Sequence, residues 1–355
     1  MLSLTKKLHE KNHLPLLDLL RYLCAVAILI WHYQHFFLLD PGNTIPNFKL
    51  QDQPFWNLLN IPYKTGFNAV PLFWILSGIV LSKSYLDVNT DLKRFFINRL
   101  ARLYPLHIVT LVFVLAIQYF SILSVGYPQI YENNSLGNFL KNLVFINDGS
   151  NFNAPIWSVS VEIFSYIVFS LLIFRQAFRK TSCLFLILSF FAVSRIQISQ
   201  LSFLQLELIG KCGMYFFCGV FMYLLTKTLP ISILALLAIS SFVIGINLRS
   251  NSYFVLMIGI ALSCLVLENF LNFGPRLRDI FQTLGNLTYA TYLIHIPLQI
   301  VVLIYIQKAG LDQLTLVTNE YFFVLWFLIL HIASYVTYRK FEIPSRMWIK
   351  RRFNV

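Results

Sequence analysis

Residues 16–37 place the ionisable side chains of Asp18, Arg21 and His32 inside a largely apolar stretch. Ionisable groups at membrane depth are costly and usually face a protein interior or a water-filled cavity. Arg21 and His32 are 11 residues apart. That separation is three helical turns plus roughly 20°, so both share one helix face with Asp18. The spacing favours an acid–base pair and an imidazole lining a cavity, suited to general-base or nucleophilic chemistry. A buried salt bridge beside a core histidine is the alternative.

Arg99 and Arg102 lie one helical turn apart in the segment 95–109. A guanidinium can pair with phosphate oxygens through two parallel hydrogen bonds, so two arginines at this spacing make a fork-like phosphate site. Ordinary anchoring at the membrane surface by positive charge is the alternative.

Two later segments carry polar side chains within apolar sequence. Glu162 would lie about 9 Å below the outer surface if its helix enters from outside. That is near the depth expected for His32, so the carboxylate could orient the imidazole; a carboxylate that reaches the outer interface is the alternative. Thr288, Tyr292 and His295 follow at helical spacing on one face. A second intramembrane histidine favours a functional site over simple packing.

Apolar helices must position these residues. The chain has 355 residues, of which 57% are hydrophobic and 12% charged, whereas roughly a quarter of the residues of a soluble domain are charged. A spanning helix needs about 20 apolar residues, so we expect an all-α polytopic transmembrane bundle of about ten spans. We expect one transmembrane domain over residues 1–355, with no appended soluble domain. The predicted spans are 14–38, 66–84, 101–123, 156–174, 181–197, 208–226, 229–247, 252–270, 285–308 and 319–341.

The formal net charge of +13 could indicate a nucleic-acid partner, but membrane proteins also concentrate Lys and Arg in their cytoplasmic loops. With the N-terminus inside, the cytoplasmic loops and termini hold 20 of these residues and the opposite side holds six. The sequence therefore predicts both termini in the cytoplasm, no nucleic-acid partner, and two long outer loops at 39–65 and 124–155.

Two smaller patterns concern packing. The five cysteines fall in apolar segments without a C-x-x-C pair, which favours small core residues over disulfides or metal ligands. Ser77 and Gly78 interrupt the second predicted span, where small residues permit a close helix contact.

Six motifs occur in an order that is typical of one family. They are an Arg-x10-His pair (Arg21 and His32), Asp18 three residues before that arginine, LFWILSGIV in the second span, Arg99-x-x-Arg102 followed by Tyr104-Pro105, WSVSVE from Trp157 to Glu162, and the segment Thr288 to Pro297. From Leu16 to about Arg346, the sequence resembles the acyltransferase 3 family of integral-membrane O-acyltransferases.

The resemblance implies transfer of an acyl group, usually acetyl, from cytoplasmic acetyl-CoA to a hydroxyl group. The acceptor would be a cell-surface carbohydrate, such as lipopolysaccharide O-antigen or exopolysaccharide, or a lipid-linked sugar. The enzyme would lie in the bacterial cytoplasmic (inner) membrane, and the resemblance implies no metal.

The resemblance also implies roles for individual residues. His32 would be the general base or would briefly carry the acyl group, and Tyr292 or His295 would donate to the developing oxyanion. The full expected sets are His32, Arg21, Asp18 and Glu162 for catalysis, Arg99, Arg102 and Arg21 for acyl-CoA, and Trp157, Ser158, Tyr292 and His295 for the acceptor.

A secondary transporter or flippase for a sugar-lipid or small solute is the competing class. Such proteins also place ionisable residues near mid-membrane, and they often carry Gly- or Pro-broken spans at matching places in two halves. The sequence has no such pair of spans, which favours the enzyme.

Overall fold

A computed structural model describes residues 14–88, 91–132, 135–146, 152–175, 179–196, 205–247 and 253–355. Most of these residues are helical. In chain order the α-helices are α1 (Pro15–His32), α2 (Trp56–Thr65), α3 (Ala69–Tyr85), α4 (Leu92–Val125), α5 (Leu136–Leu143), α6 (Ile156–Phe174), α7 (Lys180–Val193), α8 (Leu206–Thr226), α9 (Ile231–Asn247), α10 (Tyr253–Leu267), α11 (Pro275–Lys308), α12 (Gln313–Val317), α13 (Glu320–Thr337) and α14 (Ile343–Arg352).

Each of the ten predicted spans corresponds to an apolar helix in the described ranges. Seven helical runs there are long and apolar enough to cross a membrane, and α7, α9 and α10 are shorter apolar helices. The all-α membrane bundle is therefore confirmed, while the number of crossings and the side of the termini stay predictions. The predicted span ends at 197 and 252 lie outside the described residues.

Helix α1 runs through the centre of the bundle and packs mainly against α11, with α2, α3 and α10 on its other sides. Pro15 occupies its first turn, where a missing N–H costs nothing. The next free N–H group, that of Leu16, donates to the carboxylate of Glu268, just after α10. A side chain from the segment after α10 thus satisfies one of the donors that a helix N-terminus leaves open.

The predicted outer loop at 39–65 contains regular structure that the sequence analysis did not anticipate. A 3₁₀ turn (Tyr33–Phe37) extends α1, and Leu38–Asp40 (β1) pairs antiparallel with Asn43–Thr44 (β2). Gly42 adopts a φ of 86° in the turn between these strands, a conformation that glycine adopts without steric cost.

The second span begins ten residues earlier than predicted. Helix α2, a 3₁₀ turn (Gly66–Asn68) and α3 form one apolar run from Trp56 to Tyr85. Pro62 and Lys64, which lower the hydropathy of the sequence, lie inside this run. A Cβ on Gly66 would lie 2.2 Å from the backbone oxygen of Ala27, so glycine permits this run to cross α1 closely.

Helices α3 and α8 meet backbone to backbone. A Cβ on Gly78 would lie 2.1 Å from the oxygen of Phe216, and one on Gly219 would lie 2.0 Å from the oxygen of Ile75. The close contact predicted at Ser77-Gly78 is confirmed, and α8 supplies the matching glycine.

Helices α4 and α11 each have 34 residues, longer than the predicted spans 101–123 and 285–308. A hydropathy profile stops where charged residues begin, whereas a helix stops where its cap lies. Asp91 caps α4 by accepting from the Arg94 N–H, and Pro275 begins α11.

The last span also extends beyond the predicted range 319–341. A π turn at Tyr338–Glu342 joins α13 to α14 without a break, so the apolar helical run reaches Arg352.

All five cysteines lie in the described ranges as free thiols, four of them buried, which confirms their role as small core residues.

Candidate functional site

A cavity of about 270 Å³ lies between α1, α3, α4, α6, α11 and α14. Five of its lining side chains are arginines or a glutamate: Arg21, Arg99, Arg102, Glu162 and Arg346. Four guanidinium groups and one carboxylate leave this lining with an excess of positive charge. Such a surface favours an anionic ligand, because buried like charges are costly unless counter-charges accompany them.

Arg21 and Asp18 form the predicted pair on α1. The Nη1 of Arg21 donates to Oδ1 of Asp18 at 3.1 Å, and both side chains are largely buried. Gly285 of α11 makes room for them, since a Cβ there would lie 2.7 Å from Oδ1 of Asp18. The pair is therefore held between two helices, with Arg21 reaching the cavity.

Arg99 and Arg102 reach the cavity from one face of α4, as their spacing predicted. The guanidinium of Arg99 lies over the ring of Tyr85, 6.0 Å from its centroid. Its Nε is buried and has no hydrogen-bond partner among the described residues. Arg102 is within electrostatic range of Arg21 and Arg99. The two α4 arginines thus retain capacity to bind an anion.

Arg346 is the cavity residue that the sequence analysis missed. Because the predicted last span ends at 341, the sequence predicts no site residue beyond it. Helix α14 instead directs Arg346 into the cavity, with Glu342 one turn earlier and within electrostatic range of Arg102 and Arg346. The i, i+4 spacing of Glu342 and Arg346 is the signal that could have found it.

Glu162 lies in this cavity beside Ser77 and Tyr166. Its Oε1 is buried without a hydrogen-bond partner in the described part of the chain, and the carboxylate interacts electrostatically with Arg99 and Arg21. The structure thus groups Glu162 with the arginines, whereas the sequence analysis paired it with His32.

Ser158 and Tyr292 connect α6 to α11 at the other side of the cavity, where their hydroxyl oxygens are 3.0 Å apart. Thr288 also lines the cavity, and its hydroxyl donates to the backbone oxygen of Gly285. Trp157 packs outside the lining on other aromatic rings. Of the predicted acceptor residues, Ser158 and Tyr292 therefore reach the cavity directly.

His32, His35 and His295 form a cluster next to the cavity. The ring of His32 lies 4.9 Å, centroid to centroid, from each of the other two. His32 is 8% exposed and His295 1%. Tyr131, from the segment after α4, packs its ring edge-on against His35. Burial raises the pKa of Tyr131 above its usual value, so its hydroxyl stays protonated.

Tyr292 links this cluster to the cavity. Its hydroxyl meets Ser158 in the cavity, and its backbone oxygen lies 2.7 Å from Nδ1 of His295. Ile28, one turn before His32 on α1, lines the cavity as well. Tyr292 and Ile28 thus lie between the arginine-lined cavity and the histidine cluster.

An aromatic wall formed by Trp31, Phe67, Trp74 and Trp157 borders the same region. Trp74 lines the cavity, and its ring meets Trp157 edge-on at 6.0 Å. Trp157 stacks on Phe67 with their ring centroids 5.7 Å apart, and the ring of Phe67 lies 5.3 Å from that of Trp31. Trp31 in turn lies 4.7 Å from the ring of His32. The wall therefore runs from the cavity to the histidine cluster.

Comparison with known families identifies the family of the chain. The family model described as "acyltransferase domain" matches residues 14–339, nearly the whole chain. The chain belongs to the acyltransferase 3 family. The expected family membership is therefore confirmed, and the match ends seven residues before Arg346.

Two curated relatives have names that agree with the family. The chain is 30% identical over 167 residues to acyltransferase MdmB of Streptomyces mycarofaciens, covering 44% of this chain and 38% of the relative. It is 26% identical over 171 residues to ORF330 of the Acidianus two-tailed virus, which is provisionally named an acetyltransferase. This alignment covers 46% of this chain and 42% of the viral protein. Both alignments span less than half of either protein, and no solved structure matches the chain significantly.

Proposed function

We propose that this member of the acyltransferase 3 family transfers an acetyl group from acetyl-CoA to a hydroxyl of a carbohydrate. The observation that carries the proposal is the arginine-lined cavity beside two buried histidines. The positively charged cavity fits a polyanionic donor, and the histidines fit general-base chemistry. The names of the two relatives support acyl transfer, and the name of the viral relative supports acetyl as the group that is transferred.

The arginines would hold the phosphate groups of the donor. Arg99, Arg102 and Arg346 reach one cavity from two helices, so their forks can engage phosphate oxygens from different directions. Asp18 would hold Arg21 in place through the 3.1 Å pair, and Glu162 would limit repulsion among the guanidinium groups. These arginines enter at the ends of helices that the charge distribution assigns to the cytoplasmic side, where acyl-CoA is found.

His32 would act as the general base. The acceptor hydroxyl gives its proton to His32 as its oxygen attacks the thioester carbonyl, and a C–O bond forms. The tetrahedral intermediate collapses with cleavage of the C–S bond, and the departing thiolate takes the proton from His32. The products are an O-acetyl ester and free CoA, and His32 returns to its neutral state.

The aromatic wall would bind the acceptor. Sugars pack their C–H faces on aromatic rings, and Trp31 sits directly beside His32. A lipid-linked sugar or a surface polysaccharide such as O-antigen or exopolysaccharide, modified at the bacterial cytoplasmic membrane, fits this arrangement. The predicted outer segments 39–65 and 124–155 would border its entry.

Inverted membrane vesicles test the proposal. Acetyl-CoA labelled on the acetyl group is supplied to vesicles that carry the wild type, His32→Ala, or the control His331→Ala, in which the replaced histidine lies on α13 against Tyr22. We expect label in the carbohydrate fraction for the wild type and the control, and none for His32→Ala.

A binding measurement separates the competing functions. We expect purified wild type to bind acetyl-CoA and His32→Ala to bind it equally well, because His32 lies outside the arginine lining. Neither binding nor transfer by the wild type, together with ion-coupled solute flux in vesicles, would reject the acyltransferase in favour of a transporter.

A further inference from the structure

Two buried nitrogens on neighbouring imidazole rings have no hydrogen-bond partner among the described residues. They are Nδ1 of His32 and Nε2 of His295, both unpartnered among the described residues. The two rings come from different helices, α1 and α11, and their centroids are 4.9 Å apart with planes inclined by 53°. Buried polar atoms are nearly always paired in folded proteins, so two orphans on neighbouring rings call for an explanation.

The backbone fixes which nitrogen of His295 carries the proton. Its Nδ1 lies 2.7 Å from the backbone oxygen of Tyr292. A carbonyl oxygen can only accept, so Nδ1–H must be the donor in this contact. A neutral imidazole has one N–H, which leaves Nε2 of His295 with a bare lone pair. His295 therefore presents an acceptor, not a donor, toward His32.

We propose that His295 is a positioning residue for His32: its Nε2 accepts a hydrogen bond from Nδ1–H of His32 during the reaction. This inference rests on the proposed function, because it explains how His32 becomes a base. With the proton held on Nδ1, the lone pair of His32 lies on Nε2, the nitrogen that takes the proton of the acceptor hydroxyl. The logic is that of hydrolases in which a third group fixes the tautomer of the catalytic imidazole.

The other candidates for this role are engaged elsewhere. Glu162 lies among the arginines. Nδ1 of His35 is 3.3 Å from Oε1 of Gln299, and Nε2 of the same amide donates to the backbone oxygen of His32 at 3.0 Å. Since the amide nitrogen is the donor to His32, its oxygen accepts from His35. Gln299 thus anchors both the backbone of His32 and the ring of His35. The ring of His35 is as close to His32 as that of His295, but only His295 has a buried ring nitrogen without a partner among the described residues.

Two substitutions separate the two nitrogens of His295. In His295→Gln the side-chain amide reaches the position of Nε2, so an acceptor for His32 is kept while the bond to Tyr292 is lost. In His295→Asn the amide lies at the position of Nδ1, so the bond to Tyr292 is kept and the acceptor is lost. Both variants carry a side-chain amide, and they differ in which ring nitrogen of His295 that amide replaces.

Steady-state kinetics of the full chain in vesicles, with acetyl-CoA as the varied substrate, give the test. We expect His295→Asn to lower kcat about a hundredfold, within the range typical of lost general-base catalysis. The KM for acetyl-CoA should change little, because His295 is not part of the arginine lining. His295→Gln should stay within about tenfold of the wild-type kcat, since its acceptor substitutes for Nε2.

Several results would overturn the inference. One is that His295→Asn is active while His295→Gln is inactive. Another is that both variants keep the wild-type kcat. The third is that both variants lose kcat although they bind acetyl-CoA normally. As a second measurement that needs no variant to fold, ¹⁵N spectra of the histidine-labelled wild type report the tautomers. We expect protonated Nδ1 on both histidines, and a protonated Nε2 on His295 would refute the acceptor role.

The wild-type control distinguishes this inference from the function on which it rests. A wild type that neither binds acetyl-CoA nor transfers acetyl refutes both. A wild type that transfers acetyl beside a fully active His295→Asn variant refutes only the role of His295.

Discussion

At the scale of single residues, Arg346 would extend the proposed phosphate site beyond what the motifs contain. It lies outside the matched segment 14–339, yet its side chain lines the same cavity as Arg99 and Arg102. A guanidinium that approaches from a second helix can bind a different phosphate oxygen from those that the α4 arginines reach.

We expect Arg346→Gln to raise the KM for acetyl-CoA about tenfold and to leave kcat nearly unchanged, because one charge-assisted hydrogen bond to the donor is lost. Arg352→Gln, at the exposed end of α14, is the matched control and should behave as the wild type. Initial rates over a range of acetyl-CoA concentrations measure both constants. An unchanged KM for Arg346→Gln would exclude it from the donor site.

Sequence spacing predicted contacts within one helix and missed those between helices. The contact of Asp18 with Arg21 follows from three residues of separation on one helix. The neighbours His32 and His295 are more than 260 residues apart in the chain. Their meeting depends on which helices pack together, which no local pattern encodes. For the same reason, equal depth suggested Glu162 as the neighbour of His32.

At the scale of elements, Gly285 sets how closely α11 approaches the charged pair of α1. We expect Gly285→Ala to destabilise the protein by about 1–3 kcal/mol through overpacking, and to lower activity as Asp18 is displaced from Arg21. Thermal unfolding in detergent and acetyl transfer in vesicles measure the two effects.

Gly274→Ala is the control for this substitution. Gly274 precedes the same helix α11, but a Cβ there meets nothing within 4 Å. Equal losses in both variants would mean that a general preference for glycine, rather than the contact with Asp18, causes the effect.

Just beyond the C-terminal ends of α3 and α8, an ion pair joins the two helices outside the predicted spans. Nζ of Lys227 lies 2.6 Å from Oδ2 of Asp87, and the Tyr223 hydroxyl donates to the same oxygen at 2.8 Å. The hydrogen bonds from Lys227 and Tyr223 lower the pKa of Asp87, and the bond to Asp87 raises the pKa of Lys227.

The pair should stabilise the protein over a defined pH window. A lowered carboxyl pKa contributes stability above its unfolded value of about 3.9, and the contribution is lost as pH falls through the folded value. The contribution of Lys227 is present below about pH 10.4 and is lost as pH rises through its raised folded value. We expect Asp87→Asn to lower Tm by about 1–2 °C at pH 7, since the pair is half exposed.

As pH falls through the lowered pKa of Asp87 in the folded protein, the Tm of Asp87→Asn should converge with that of the wild type, as thermal scans across pH would show. Asp279→Asn, an exposed substitution at the start of α11, controls for the general effect of a removed carboxylate. A difference that stays constant with pH would mean that the pair is not its source.

Hydropathy located the apolar helices well and their ends poorly. The ten predicted segments all coincide with helices, because a run of apolar residues is a strong local signal. The caps at Asp91 and Pro275 extend α4 and α11 past their apolar parts. The β1–β2 hairpin depends on Gly42 and on packing against the bundle, so composition alone did not reveal it.

At the scale of the whole molecule, the distribution of Lys and Arg predicts one orientation. With both termini in the cytoplasm, the β1–β2 hairpin faces outward and α14 faces inward. We expect Asn43→Cys, in the exposed turn region of the hairpin, to react with a membrane-impermeant maleimide in intact cells.

Arg352→Cys is the counterpart and should react only after the membrane is opened. The unmodified protein gives the background, since four of its five cysteines are buried. Labelling of Arg352→Cys in intact cells together with protection of Asn43→Cys would reverse the assigned orientation and place the arginine side of the cavity outside.

The π turn at Tyr338–Glu342 has a consequence for how relatives of this chain are compared. Each turn of a π helix holds about one residue more than an α turn, and one residue corresponds to about 100° of rotation in an α-helix. A relative that lacked the extra residue would keep an arginine at the aligned position while directing it toward lipid. An alignment would score such a position as preserved although the donor site had lost a cation. The length of the segment between α13 and α14 is therefore as informative about ligand binding as the identity of residue 346.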